Sequence, residues 1–332
     1  MMLLDYSFIS QSASCSTIKG IMGEVLFLDT VHPVLWERLQ AAGYACLDGT
    51  ALDYEACKKA AEDAVGIVIR ARFRMDQKFL ESARNLKFIA RSGAGMENID
   101  VEYCSKRGIQ LFNAPEGNRN AVAEHALGML LNLFRNINKG DREVRRGIWD
   151  REGNRGIELN GKTIGIIGYG NNGMAFIKKL SGFDVRILVY DKYKTVPNLG
   201  QVEAATMEVI FEEADIVSFH IPLNSETQYW ANSAFFNSFR KPIYFLNISR
   251  GKIVKTQDLL DAIDQGKVLG ACLDVLEFES ASFAQIEHDE TLKRLLNQPK
   301  VILSPHIAGW THESYFLLSD ILADKILTNI NA

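Results

Sequence analysis

The stretch "GKTIGIIGYGNNGMAFIKKLSGFDVRILVYDKYK" spans residues 161–194, and its reading organises the rest of the chain. It begins with an apolar run, TIGIIG (163–168), that suits a buried strand. Three glycines then fall in the pattern G-x-G-x-x-G, at Gly168, Gly170 and Gly173, and a helical run opens at Met174 and continues to Leu180. A second apolar run, DVRILVYD, ends on Asp191, 23 residues after Gly168. The glycine pattern alone is weak, because a plain turn between a strand and a helix produces it too. The order strand, glycine loop, helix, strand, acid makes it a dinucleotide-binding fingerprint. Gly168 permits the tight turn, Gly170 admits a pyrophosphate against the backbone, and Gly173 lets the helix pack on the strand. The amides of Asn171 and Asn172 lie at the helix N-terminus, where partial positive charge favours an anion. Asp191 is placed to accept hydrogen bonds from an adenosine ribose and to repel a 2′-phosphate, which favours NAD over NADP. Lys192 and Lys194 stand beside it, and either is able to offset that repulsion.

Working outward, the fingerprint opens a series of apolar runs at 163–168, 184–191, 214–220, 243–249, 268–275 and 301–306, with helical stretches between them. Six strands so arranged suit a doubly wound nucleotide-binding sheet. An earlier series has runs at 24–29, 64–71, 86–95 and 108–115, with helical spacing at 31–44. The alternation predicts a second parallel sheet covered by helices on both faces. Between the series, residues 119–147 read as one long helix with an apolar face at Ala123, Ala126, Leu127, Leu130, Leu131 and Phe134, charged towards its end. The tail ESYFLLSDILADKILTNI reads as one more helix. The expected fold class is therefore α/β, with two doubly wound parallel-sheet domains.

Bulk composition agrees with two globular domains: 332 residues, 47% hydrophobic and 23% charged. A net charge of −4 gives no reason to expect nucleic acid or an anionic membrane as a partner. Cysteines 15, 46, 57, 104 and 272 are scattered with no CxxC pair, which argues for reduced thiols in a cytoplasm and against a metal site. Residues 1–21 lack a basic start and a continuous apolar core, so they are expected to be a poorly ordered extension, or an upstream start before a natural one at Met22, rather than a signal peptide. No apolar run is long enough for a membrane span.

Three stretches sit at or after the ends of late strands, where such sheets bind ligands: NISRG (247–251), LDVLEFES (273–280) and SPHIAGW (304–310). They bring an arginine, carboxylates and a histidine. A lone loop histidine is ordinarily a packed or solvated one, and Glu279, with Glu277 close by, reads alone as a solvated acid. Together these are the groups that oxidation of a 2-hydroxy acid needs: a base for the hydroxyl proton, a cation for the carboxylate, and an acid that orients the base. From about Glu24 to its end the sequence resembles the D-isomer-specific 2-hydroxyacid dehydrogenases. The resemblance implies that Arg250 binds the substrate's carboxylate and carbonyl, that His306 is the general acid/base, and that Glu279 pairs with it. It places Asp274 at the nicotinamide amide and Pro222 in the cofactor site. Ser280 departs from the family, which has proline there, and formate dehydrogenases match less well, having glutamine where Glu279 stands. The resemblance further implies a flavodoxin-like substrate domain (22–115 plus 307–332) into which the Rossmann-type NAD domain (116–306) is inserted. It implies a homodimer, for which the 119–147 helix offers a seam.

For the substrate, Arg70, Arg91 and Arg151 resemble the basic residues with which 3-phosphoglycerate dehydrogenases hold phosphate. Arginine suits that anion through its planar fork, although each of the three reads alone as a surface cation. The amides of Ser92, Gly93, Ala94 and Gly95 are expected at the carboxylate, and NAPEGN (113–118) is close to the same pattern. The expected reaction is NAD-dependent interconversion of 3-phosphoglycerate and 3-phosphohydroxypyruvate, towards serine. A glyoxylate or hydroxypyruvate reductase is the alternative, and an NAD(H)-sensing protein without catalysis is the alternative of another class. The sequence is expected to leave no room after the terminal helix for an amino-acid-binding regulatory domain.

Overall fold

A computed structural model describes residues 22–279 and 289–330. The 1–21 extension, Cys15 and Ser280 lie outside the described residues. The first sheet contains β1 (Glu24–Phe27), β2 (Ala45–Asp48), β3 (Ala64–Ile69), β4 (Phe88–Arg91) and β5 (Gln110–Asn113), in the order β2-β1-β3-β4-β5. The second contains β6 (Thr163–Ile167), β7 (Arg186–Tyr190), β8 (Val202–Ala204), β9 (Ile216–Phe219), β10 (Ile243–Asn247), β11 (Val268–Leu273) and β12 (Val301–Leu303), in the order β12-β11-β10-β9-β6-β7-β8. All ladders are parallel. The first order is that of flavodoxin-like sheets and the second that of dinucleotide-binding sheets. The central strands are apolar on both sides because helices cover both faces. Leu26, Ile67 and Ile69 point into one core while Val25, Phe27 and Val68 point into the opposite one. The second sheet likewise separates two cores, with Ile164 and Ile166 on one side and Ile167 on the other.

Two strands escape a reading of apolar runs. β2 and β8 are edge strands, short and partly exposed, so neither carries a continuous hydrophobic stretch. The 119–147 helix is corrected more substantially. It is two helices, Pro115–Arg135 and Ile137–Arg145, joined at Asn136, whose φ of 54° is left-handed. Asparagine tolerates that conformation and ends the first helix, and the Asn132 side chain accepts the Asn138 amide at 2.8 Å to start the second. The start moves back to Pro115, whose fixed φ suits a first helical position.

The Pro115–Arg135 helix packs on the Asn171–Leu180 helix through Val122, Ala126, Phe176 and Leu180. It also meets the terminal His312–Ile330 helix at Gly117, where a Cβ would stand 2.8 Å from the Leu318 amide nitrogen. That terminal helix returns to the first sheet. It buries Leu318, Leu322 and Ile326 against Val25, Phe27 and Leu35. Arg38 pairs with Asp320 at 2.6 Å and Lys325 with Glu116 at 2.9 Å. Among the described residues no helix is long and apolar enough to cross a membrane.

Candidate active site

The glycine loop follows β6. Gly168 has φ of 106°, and a Cβ there would lie 2.5 Å from the His220 carbonyl oxygen. At Gly173 a Cβ would meet the Gly168 carbonyl oxygen at 2.0 Å, so helix and strand close only around glycine. Gly170 is different: nothing lies within 4 Å of its Cβ position. The approach is open where a pyrophosphate would rest, beside the Asn171 and Asn172 amides of the first helical turn. Asp191, after β7, accepts the Tyr169 amide at 2.7 Å and those of Tyr193 and Lys194 at 2.9 Å. Burial would raise its carboxyl, but these amides outweigh burial and hold it below the ordinary range. Lys192 bonds Glu226 at 2.6 Å, so its charge is answered within the chain. A cleft of about 450 Å³ beside Asp191 is lined by Gly168, Gly170, Pro222 and Trp230, and its shape and donors fit a dinucleotide.

Arg250 follows β10, Asp274 follows β11 and His306 follows β12, so they cluster at the carboxyl edge of the sheet. The His306 Nδ1 lies 2.6 Å from Glu279 Oε2. A neutral ring donating from Nδ1 carries its lone pair on Nε2. Glu279 is itself held by the Leu276 amide on Oε1. His306 has a left-handed φ of 54° and donates its amide to the Asp274 carbonyl at 2.8 Å. Asp274 is 1% exposed. Its Oδ1 accepts from the Ser304 hydroxyl at 2.6 Å and the Ile307 amide at 2.9 Å, and its Oδ2 accepts the Ala308 amide at 2.9 Å. His125 approaches Oδ1 at 3.4 Å. Burial raises this carboxyl, and His125, Ser304 and the amides together bring it below its usual value. Asp274 thus fastens the turn that carries His306, with both oxygens engaged inside the chain.

Arg250 crosses between the two sheets. Its Nε bonds Glu97 at 2.6 Å and its Nη1 the Ser249 carbonyl at 2.7 Å. The loop beneath is fixed by buried Asn247, which accepts the Ser249 hydroxyl at 2.9 Å and donates to the Arg250 carbonyl at 2.9 Å. Gly95 makes the pair possible: a Cβ there would stand 2.0 Å from Glu97 Oε2 and 2.2 Å from Arg250 Nη2. Burial pushes the Glu97 carboxyl up, and Arg250 more than reverses it.

A second cleft, of about 370 Å³, is lined by Arg70, Arg91, Gly93, Arg250, His306 and Trp310. Arg91 is 9% exposed, bonds the Arg70 carbonyl at 3.1 Å, and burial lowers its pKa to about 10. The Ser92 and Gly93 amides are taken by Ile69 and Arg91 carbonyls, so Ala94 and Gly95 keep the amides without partners among the described residues. Arg151 is exposed and lines neither cleft. The sequence reading passed over Glu97, Trp310 and Asn118. Glu97 lies in the glycine-rich turn and reads there as a loop acid. Asn118, within NAPEGN, lines the second cleft with Asn172, and the buried Oδ1 of each lacks a partner among the described residues.

Comparison with known proteins agrees with this geometry. Residues 127–308 match the family of the D-isomer specific 2-hydroxyacid dehydrogenase, NAD binding domain, and the cofactor is accordingly NAD. The chain is 35% identical over 263 residues to a D-3-phosphoglycerate dehydrogenase of Archaeoglobus fulgidus, a match covering 79% of this chain and 48% of that one. It spans, that is, about half the length of that relative. It is 32% identical to a hydroxypyruvate reductase of Thermotoga maritima, covering 80% and 84% of the two chains. It is 36% identical to a glyoxylate reductase of Pyrococcus furiosus, covering 80% and 79%. The solved structure of a D-2-hydroxyisocaproate dehydrogenase superposes with a TM-score of 0.80 at 26% identity, covering 94% and 97%. By its glycine loop, its sheet orders and these matches, the chain belongs to the D-isomer-specific 2-hydroxyacid dehydrogenases.

Proposed function

We propose that the protein is an NAD-dependent dehydrogenase that interconverts 3-phosphoglycerate and 3-phosphohydroxypyruvate. The observation that carries the substrate is the convergence of Arg70 and Arg91 on the cleft that also holds Arg250 and His306. One arginine suffices for a carboxylate, and two more suit a second, doubly charged anion. NAD, when bound, supplies the hydride acceptor. Arg250 Nη2 and the Ala94 and Gly95 amides hold the carboxylate. His306 takes the hydroxyl proton at Nε2, and Glu279 across Nδ1 stabilises the charged ring that results. A glyoxylate or hydroxypyruvate reductase is the second reading, favoured by relatives of those names. It leaves Arg70 and Arg91 without a task.

The same proposal takes residues 22–115 plus 307–332 as the substrate domain and 116–306 as the NAD domain, supported by the seat of the terminal helix on the first sheet. It also takes the protein as a homodimer. Ile137, Val144, Ile148 and Trp149 are exposed together on and after the Ile137–Arg145 helix, Trp149 by 79%. Arg151 lies two residues beyond, at that surface rather than in the cleft.

The test is oxidation of NADH by purified protein with 3-phosphohydroxypyruvate, hydroxypyruvate or glyoxylate. We expect kcat/KM to favour the phosphorylated acid about 100-fold, or about 2.7 kcal/mol. Equal values overturn the phosphate reading and support the general reductase. His306→Ala is expected to lower turnover about 100-fold or more. Near-normal turnover in that variant would remove His306 from the chemistry.

A further inference from the structure

Arg250 and Arg70 are held in opposite ways. Arg250 is fixed by a carboxylate, Glu97, which answers its charge. Among the described residues no carboxylate pairs with the Arg70 guanidinium. Its one side-chain hydrogen bond among the described residues is long, Nη1 to the Thr30 carbonyl at 3.4 Å. Asp29 bonds only its backbone, accepting the Arg70 amide at 2.6 Å and those of the two residues that follow. What the guanidinium does rest on is Trp310, with Cζ 4.1 Å from the ring centroid.

Stacking uses the face of a guanidinium and leaves its donors, which point outward in the plane. A cation set by an aromatic ring keeps its full charge and its edge. A cation set by a carboxylate loses part of both. For a phosphate dianion the first arrangement is the better one.

The ring is itself well placed to act as a support. Trp310 is 55% exposed, so the core does not depend on it. Its amide closes a turn on the Ile307 carbonyl at 2.9 Å, the Ser314 hydroxyl bonds the Gly309 carbonyl at 2.7 Å, and the Tyr315 ring stands 6.2 Å away. This turn begins at His306. One short segment, anchored by Asp274, therefore carries both the proposed acid/base and the support for Arg70.

We propose that Trp310 is a specificity-determining residue: its ring positions Arg70, with charge and donors intact, for the phosphate of the substrate. The proposal rests on the phosphate reading above. The experiment compares Trp310→Leu, Trp310→Phe and Arg70→Ala, each assayed with 3-phosphohydroxypyruvate and with hydroxypyruvate. The readout is the ratio of the two kcat/KM values, with KM and kcat separated. Trp310→Leu keeps apolar bulk and removes the π face. It is expected to lower the ratio about tenfold, mainly through KM for the phosphorylated acid. Trp310→Phe, which restores a ring, is expected to stay within about threefold of the parent. A lowered ratio in Arg70→Ala with an unchanged ratio in Trp310→Leu overturns the role of Trp310 and leaves the phosphate reading standing. Unchanged ratios in both overturn the two together. Equal losses on both acids in Trp310→Leu make the residue a structural part of the turn and overturn its role in specificity.

Discussion

At the scale of the residue, the three glycines of the nucleotide loop do separate work, and the structure divides it between folding and binding. A methyl at Gly173 collides with the carbonyl oxygen of Gly168 at 2.0 Å, backbone that no side-chain rotation relieves. Gly173→Ala is expected to destabilise the protein without ligand by about 2 kcal/mol or more, in the range of overpacked sites, read as a lower urea midpoint. Gly170 has an extended backbone open to alanine, with φ of −91° and ψ of −165°, and empty space at its Cβ position. Gly170→Ala is expected to leave the urea midpoint within about 0.5 kcal/mol and to weaken NADH binding about tenfold or more in calorimetric titration. If Gly170→Ala binds NADH normally, the open approach is not the pyrophosphate's seat. Glu97 shows the limit of reading residues singly. Its acid reads as one more loop carboxylate until Arg250 arrives from a point 153 residues away in sequence.

At the scale of the element, the turn 304–310 depends on one buried carboxylate. Asp274 titrates below its unfolded value of about 3.9, so the stability it gives is complete above that value and is lost as pH falls through its folded pKa. Asp274→Asn presents an amide to the Ile307 and Ala308 donors and is expected to cost about 3 kcal/mol at neutral pH. Its urea midpoint should also fall less steeply than the parent's below about pH 4, because one titrating carboxyl is gone. Parallel curves for parent and variant would show that Asp274 carries none of the acid sensitivity. The break at Asn136 belongs to this scale too. Helical periodicity runs on through it, and only the left-handed residue and the side-chain cap from Asn132 reveal two helices.

At the scale of the molecule, the charged groups proposed to meet substrate follow the carboxyl ends of strands from two sheets and line one cleft. Arg70, Arg91 and Glu97 come from the first sheet, and Arg250 and His306 from the second, so the Glu97–Arg250 pair bridges the cleft, whereas the Arg70–Trp310 stack lies within the proposed substrate domain. Movement of the sheets apart would break the Glu97–Arg250 pair. The proposed homodimer belongs to this scale. Trp149→Glu places a charge on the exposed apolar surface and is expected to weaken association about tenfold or more, read as monomer in sedimentation at micromolar protein. A parent that is already monomeric there would remove the dimer.

Periodicity and glycine spacing were enough to determine two parallel sheets, the nucleotide loop and the strand ends that carry Arg250 and His306. Those signals are local, because a buried parallel strand is apolar throughout and a phosphate loop must be glycine where it turns. Edge strands β2 and β8 lack that signal, since half of an edge faces water. The site's partners were decided by tertiary structure alone. Which carboxylate meets Arg250, which ring supports Arg70, and which amides remain for a ligand depend on contacts between segments far apart in the chain. Sequence pattern reports the environment of a residue along its own element, whereas these pairings arise only when segments distant in the chain are folded against one another.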